Sequence, residues 1–341
     1  MADIDWEAAW AKSGLALSPQ HVSQSYVETP TLSLAQEQLS RRVVAALAWL
    51  GRHNPNAIAH AISPSAAAAA PIPSSARGGV QAVTPHFVVD SSWWPVPPFV
   101  IDHRAGDHLL PNSNGVDGID YELLRRPVMT VATESYVEPR AGWGRYAEDR
   151  GIYTTEHFTA SANPRTVHLG VDVSAPVGTA VTATLAGRVH SVARNMAAGD
   201  YGPCVVLQHT LTLRETDEAD DVNVVFYTLY GHMSIASLVL PDGTPRITPG
   251  QRIAAGDVLG WIGDASVNGG WHPHLHFQLD TELDHGGWFG DYPGVCSLRD
   301  WRQYITLCPD PNLLLRCQWI APIGWDASAT GSGITAVRVV E

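Results

Sequence analysis

From Thr166 onward the sequence predicts a mainly β domain built on an antiparallel sheet, and three observations carry that reading. Val181, Ala183 and Leu185 alternate with Thr182 and Thr184, which is the period of a half-buried strand. Cys204-Val205-Val206-Leu207 and Val224-Val225-Phe226-Tyr227 are short apolar runs of the kind that fill buried strands. Turn-forming residues separate these runs, and short strands punctuated by turns imply antiparallel pairing.

The elements before this sheet are fewer. Residues 33–50 predict an amphipathic helix: Ser33 and Gln36 have the spacing of a capping box, Leu39, Val43, Leu47 and Leu50 share one face, and Gly51 is placed to stop it. Residues 63–79, rich in Ala, Pro and Ser, lack periodicity and read as a linker or surface loop. Residues 86–100 hold the aromatic and proline-rich cluster Trp93-Trp94-Pro95-Val96-Pro97-Pro98-Phe99, which either packs over a sheet or lines a groove. Asp102-His103 and Asp107-His108 flank a loop with no strand to order them, so they read as loop residues and not as a metal cluster. These segments make an accessory region, 1–139, before a domain at 140–318. The acidic run 214–221 between two strands reads as a solvated hairpin loop. Trp301 and Leu313-Leu314-Leu315 close the domain, and 319–341 read as a loose tail around Gly331-Ser332-Gly333.

Composition narrows the function classes. With 341 residues, 45% of them hydrophobic and 16% charged, the chain is long enough to bury a core without assistance. A net charge of −13 argues against nucleic acid and anionic membrane as partners, which call for Lys/Arg patches. Four cysteines without C-x-x-C spacing predict buried free thiols. The acidic N-terminal text lacks the basic and apolar regions of a secretory signal, and no stretch approaches the roughly 20 apolar residues of a membrane span, so a cytoplasmic location is expected.

The chemistry concentrates in three places. In Trp271-His272-Pro273-His274-Leu275-His276-Phe277-Gln278-Leu279 the two histidines at 274 and 276 would project from one face of a strand, roughly 7 Å apart. Taken alone, such a pair is more often two half-buried histidines on a solvated strand face. His168 and Asp172 form a second pair across Gly170; a straight strand would hold them roughly 13 Å apart, so the segment must bend, and Gly170 is where it can. His168, Asp172 and His276 make three donors, the count of a catalytic zinc site that keeps one position open for water. Between the pairs, a β-rich run ends in Tyr230-Gly231-His232 at a turn-prone glycine. Two neutral imidazoles and a carboxylate leave zinc net positive, able to acidify water and polarise a carbonyl; no H-E-x-x-H glutamate is available, so histidine must handle the proton.

These elements resemble the LytM/lysostaphin-type zinc metallopeptidases, whose pattern is H-x-x-x-D, a lone histidine after an aromatic, then H-x-H. The hairpin 178–189 and the Gly256-Asp257-Val258-Leu259-Gly260 text are similar to the family's as well, and the likeness runs over residues 140–318. The resemblance implies an antiparallel β groove, Zn²⁺ held by His168, Asp172 and His276, and His232 and His274 as the catalytic histidines, acting on amide or peptide bonds. In wording, the chain is similar to the LytM-like module of intracellular proteins fused to a kinase-like domain and an aminotransferase, although it contains neither partner domain.

Residues 268–273 depart from the small-residue loop usual in the wall hydrolases and put Trp271 and His272 beside the groove, which points to a short peptide or small amide substrate. A second reading is a metal-binding scaffold without peptidase activity. His272 is open between a structural and a groove-lining reading, whereas His157, His190, His209 and His285 read as structural or solvated.

Overall fold

The computed structural model of the chain describes residues 4–15, 31–63, 99–101, 128–129, 136–137, 142–160, 162–283, 292–317 and 334–340. Helix α1 (Trp6–Ser13) starts on Asp5, whose side chain accepts from the Ala8 amide at 2.9 Å, and stops at Gly14 in the left-handed region. Helix α2 (Leu34–His53) opens with the expected capping box: Gln36 N donates to Ser33 Oγ at 3.2 Å, and Ser33 N donates to Gln36 Oε1 at 2.7 Å. The helix does not stop at Gly51. It runs to His53 and is capped at Asn54, because Gly51 keeps a helical backbone and Pro55 is the residue that cannot follow.

The strands are β1 (Ile62–Ser63), β2 (Phe99–Ile101), β3 (Val128–Met129), β4 (Tyr136–Val137) and β5 (Gly142–Gly144), followed by β6 (Arg165–His168), β7 (Val171–Ser174), β8 (Ala180–Thr182) and β9 (Gly187–Asn195). Then come β10 (Gly202–Arg214), β11 (Val222–Gly231), β12 (Arg252–Ile253), β13 (Val258–Trp261), β14 (His274–Asp280), β15 (Val295–Ser297) and β16 (Ala336–Val339). A nine-stranded sheet runs β12-β9-β10-β11-β14-β7-β5-β2, with β16 also paired to β10. Its pairings are antiparallel except β2 with β5. A three-stranded sheet, β1-β8-β13, and the ribbons β15-β6 and β3-β4 complete the described strands. The fold is mainly β and antiparallel, with N-terminal helices.

The sheet has two faces of different character, because successive side chains on a strand alternate. On β14, Leu275, Phe277 and Leu279 join the main core with Val43, Leu47 and Leu50 of α2 and with Leu313, Leu314 and Leu315. Burying each such aliphatic side chain stabilises the fold by roughly 1.5–3 kcal/mol. Ala9 and Trp10 of α1 belong to this same core, so α1 and α2, expected in an accessory region, are built into the domain. The opposite face of β14 carries His274, His276, Gln278 and Asp280, all buried.

The tail is not loose throughout: Ala336–Val339 pairs with Leu211–Arg214 on β10, and Arg338 forms an ion pair with Asp221. The acidic run forms the β10–β11 turn as expected, tied by Arg42 to Glu215 and by Arg214 to Asp221. The proposed linker beyond Ser63, the cluster at 93–98, Asp102-His103, Asp107-His108 and His285 lie outside the described residues. No helix among the described residues is long and apolar enough to cross a membrane.

Candidate metal centre

The chain breaks between His168 and Asp172, as the reach of their side chains requires. β6 and β7 are separate strands, in the β15 ribbon and the main sheet, with Leu169 and Gly170 between them. Gly170 serves this break by its missing side chain: a Cβ there would lie 2.5 Å from His276 Cε1 and 2.9 Å from the Phe277 carbonyl. His276 pairs with Asp172 across β14 and β7, which brings all three donors together. His168 Nε2 is 3.0 Å from His276 Nδ1, His168 Nε2 is 3.3 Å from Asp172 Oδ1, and His276 Nδ1 is 3.2 Å from the same oxygen.

The other nitrogen of each ring fixes the tautomer. His168 Nδ1 donates to the Arg145 carbonyl at 3.0 Å, which leaves a lone pair on Nε2. His276 Nε2 donates to Gln278 Oε1 at 3.0 Å, which leaves a lone pair on Nδ1. Gln278 is held in that orientation because its amide nitrogen donates to Asp280 Oδ1 at 2.8 Å and the Pro293 carbonyl at 2.9 Å. Two nitrogen lone pairs and a carboxylate oxygen therefore converge on one point, a repulsive arrangement unless a cation lies among them. Tetrahedral zinc with bonds of about 2.0–2.1 Å sets its ligand atoms roughly 3.3 Å apart, which fits this triangle.

Charge agrees with geometry. Burial, reinforced by the positive Arg150, pushes His168 down to about 3, so it is neutral and ligating at ordinary pH. Burial opposes ionisation of Asp172, but His168, Arg150 and His274 together outweigh it and hold the carboxyl well below its usual range. Arg150, only 2% exposed, donates from Nη1 to Asp172 Oδ2 at 2.7 Å.

The two remaining histidines lie beside the same centre, with the His232 ring 6.1 Å from that of His276. His232 sits in the left-handed region (φ 61), where a non-glycine residue is uncommon, held by its amide to the Tyr201 carbonyl and by its own carbonyl from Gly263 N. Its Nδ1 donates to the Asn268 carbonyl at 2.8 Å, and His274 Nδ1 donates to the His272 carbonyl at 2.7 Å, so both present Nε2. Their rings are 4.3 Å apart, and His274 Nε2 lies 3.6 Å from Asp172 Oδ1. Burial, then the neighbouring His274 and His276, lowers His232 well below its ordinary value; burial also lowers His274.

The segment 268–273 thus contributes carbonyls to the site. His272 is buried beside His274, with ring centroids 5.3 Å apart. Trp271 does not line the entrance as expected. It is 5% exposed and packs inward against Tyr153 and Phe158, where the three rings bury one another's apolar surface. Tyr201, not singled out in the sequence, packs 5.0 Å from His276 and 6.0 Å from His232. His209 is structural, bonded to the Ala186 carbonyl and Thr228 Oγ1, and His190 packs against Tyr227.

Residues 166–286 match the family model described as Peptidase family M23. The chain carries an M23 metallopeptidase domain. His168, Asp172 and His276 are the donors that would hold its zinc. Similar solved structures include a mutant catalytic domain of the prophage-encoded M23 protein EnpA from Enterococcus faecalis (25% identity, 36% of this chain, 75% of that chain, TM-score 0.24). A zinc-containing peptidase from Vibrio cholerae is 26% identical over 33% of this chain and 27% of its own, with TM-score 0.24. Lysostaphin from Staphylococcus simulans is 22% identical over 47% of each chain, with TM-score 0.25. This chain therefore spans less than half of the Vibrio and lysostaphin chains. Among curated proteins none matches, and the wider likeness to kinase and aminotransferase fusions finds no support in these comparisons.

Proposed function

We propose that the M23 domain hydrolyses a short peptide or small amide, with His232 and His274 moving the protons. The observation that carries this is that four buried histidines each have one nitrogen committed to an oxygen acceptor while their rings cluster, with centroids 4.3 Å apart for His232 and His274, 4.9 Å for His168 and His276 and 6.1 Å for His232 and His276. Bound zinc supplies a Lewis acid that acidifies water and polarises the scissile carbonyl. A neutral imidazole tethered through Nδ1–H accepts a proton at Nε2, and the Asn268 or His272 carbonyl then stabilises the imidazolium. The adjacent rings cannot both hold a positive charge cheaply, so one histidine takes the proton of the attacking water while its neighbour stays neutral. The same proton is then available to the leaving amine. A scaffold would need the three ligands but neither of these tethered bases.

Family membership implies a peptide substrate. Its small size is supported by burial: the five histidine and aspartate side chains that form the centre are each no more than 7% exposed by residue. The net charge of −13 disfavours holding a polyanionic wall. A cytoplasmic setting is part of the same proposal, supported by four buried free thiols. Incubating the zinc-loaded protein with short peptides, amide metabolites and a purified cell-wall suspension tests it. Cleavage of the small substrates is expected; clearing of the wall suspension, lost in His274→Ala, would overturn the substrate class.

A further inference from the structure

The segment from Arg145 to Arg150 lies before the family match, yet it touches two of the three zinc ligands. Its carbonyl at Arg145 accepts from His168 Nδ1 at 3.0 Å and from Arg150 Nη2 at 3.4 Å. The Arg150 guanidinium is spread over four groups: Nε donates to Glu148 Oε2 at 3.1 Å, Nη1 donates to Tyr153 Oη at 2.9 Å and Asp172 Oδ2 at 2.7 Å, and Nη2 reaches Arg145 O. Glu148 is fixed in turn by Arg145 at 2.6 Å. The segment is anchored to β6 by backbone bonds from Ala147 N to His168 O, His168 N to Glu148 O and Arg150 N to Thr166 O, and Ala147 turns through the left-handed region (φ 55) to permit them.

A second feature points the same way. Gly144 on β5 stands opposite Asp172 on β7, where a Cβ would come within 2.7 Å of Arg150 Nη2 and 3.1 Å of Asp172 Oδ2. The sheet thus leaves a space at position 144 that the Arg150–Asp172 pair fills. A planar guanidinium that occupies one carboxylate oxygen leaves the other as the single oxygen aimed at His168 Nε2 and His276 Nδ1.

We propose that Arg150 is a positioning residue of the zinc centre, which holds Asp172 by Oδ2 so that Oδ1 alone is presented to the metal. This rests on the assigned zinc site and is independent of the substrate proposal. Lysine at this position keeps a positive charge but loses the fork that reaches Glu148, Tyr153 and Asp172 together. In Arg150→Lys, zinc affinity measured by chelator competition should fall about 10–100-fold, the scale for losing a group that orients a ligand. The visible spectrum of the Co(II)-substituted protein should shift as both Asp172 oxygens become available. Tyr153→Phe, which removes one anchor and keeps the guanidinium, should weaken zinc in the same direction by a smaller factor, and it decides the matter where Arg150→Lys does not fold. Lower melting temperature with wild-type zinc affinity and an unchanged Co(II) spectrum would overturn the proposal, because that is the result of a purely structural role.

Discussion

Replacing Gln278 by leucine tests whether the orientation of His276 is set by the strand that carries it. The side chain is fully buried, and besides a long contact from Nε2 to Cys308 Sγ at 3.7 Å its amide makes three hydrogen bonds: it accepts from His276 Nε2 and donates to Asp280 Oδ1 and the Pro293 carbonyl. Leucine keeps the approximate volume and removes all three. A buried polar group left without a partner costs about 1–3 kcal/mol. Asp280 keeps the Cys308 thiol as a donor and is already pushed up to about 6 by burial, so it can remain neutral at small cost. The main losses are therefore at His276 and Pro293, about 2–6 kcal/mol in total. Zinc affinity should fall about 10–100-fold, because the imidazole is then free to exchange tautomers. Gln278→Glu is the matched control: a carboxylate still accepts from His276 Nε2, so metal affinity should return even though the second acid beside Asp280 lowers stability. The assay is chelator competition for zinc, with thermal melts of the metal-free protein to separate folding from binding. Unchanged zinc affinity in Gln278→Leu would refute the reasoning and, with it, Nδ1 as the ligating nitrogen of His276.

His168→Ala and Asp172→Ala should each abolish stoichiometric zinc, since two protein ligands remain; full occupancy by metal analysis in either variant would contradict the assigned set. His232→Ala and His274→Ala should retain zinc and lose roughly two or more orders of magnitude in turnover, the scale of a missing acid–base group. Loss of metal in His274→Ala with retention in His276→Ala would reverse the roles within H-x-H. His209 provides a pH test remote from the metal. Burial pushes it down to about 4, so it stays neutral in the fold while the unfolded chain takes up a proton below about 6.5. Above that value it adds no pH dependence; between about 6.5 and 4 it should remove about 3 kcal/mol of stability. Urea midpoints of the metal-free protein across this window should fall less steeply in His209→Gln, and equal slopes would show that His209 is protonated in the fold.

His168, Asp172, His274 and His276 stand out in the sequence because their spacing encodes direction, whereas the division into ligands and catalytic histidines, and the choice of His232, follow from the resemblance to the LytM/lysostaphin-type peptidases. His274 and His276 share a face by the two-residue period of a strand, and the distance from His168 to Asp172 demanded a break that the structure makes at Leu169-Gly170. The cap of α2 was readable for a similar reason, since Ser33 and Gln36 satisfy each other within one turn. α1 was missed although Asp5 and Gly14 frame it, because eight residues give too little periodicity to stand out and tertiary packing of Trp10 is what stabilises it. The strand Ala336–Val339 was missed for want of a visible partner: its alternation is short, and only the edge of β10 makes it a strand.

Trp271 shows where adjacency in sequence misleads. Its neighbours His272 and His274 belong to the site, but Pro273 breaks the alternation, and the indole turns instead to Tyr153 and Phe158, residues more than a hundred positions away. Arg150 was equally hidden, because an arginine in a polar stretch carries no sign that Glu148, Tyr153 and Asp172 will enclose it. Gln278 and Asp280 are different. They continue the His274 and His276 stripe at the same period of two, so the text His274-x-His276-x-Gln278-x-Asp280 already placed an amide next to a ligand on one face of one strand. An amide can accept from the ring nitrogen that the metal does not use and donate onward to a carboxylate. Extending the period past the two obvious residues would therefore have identified the group that fixes His276, with no knowledge of the tertiary fold.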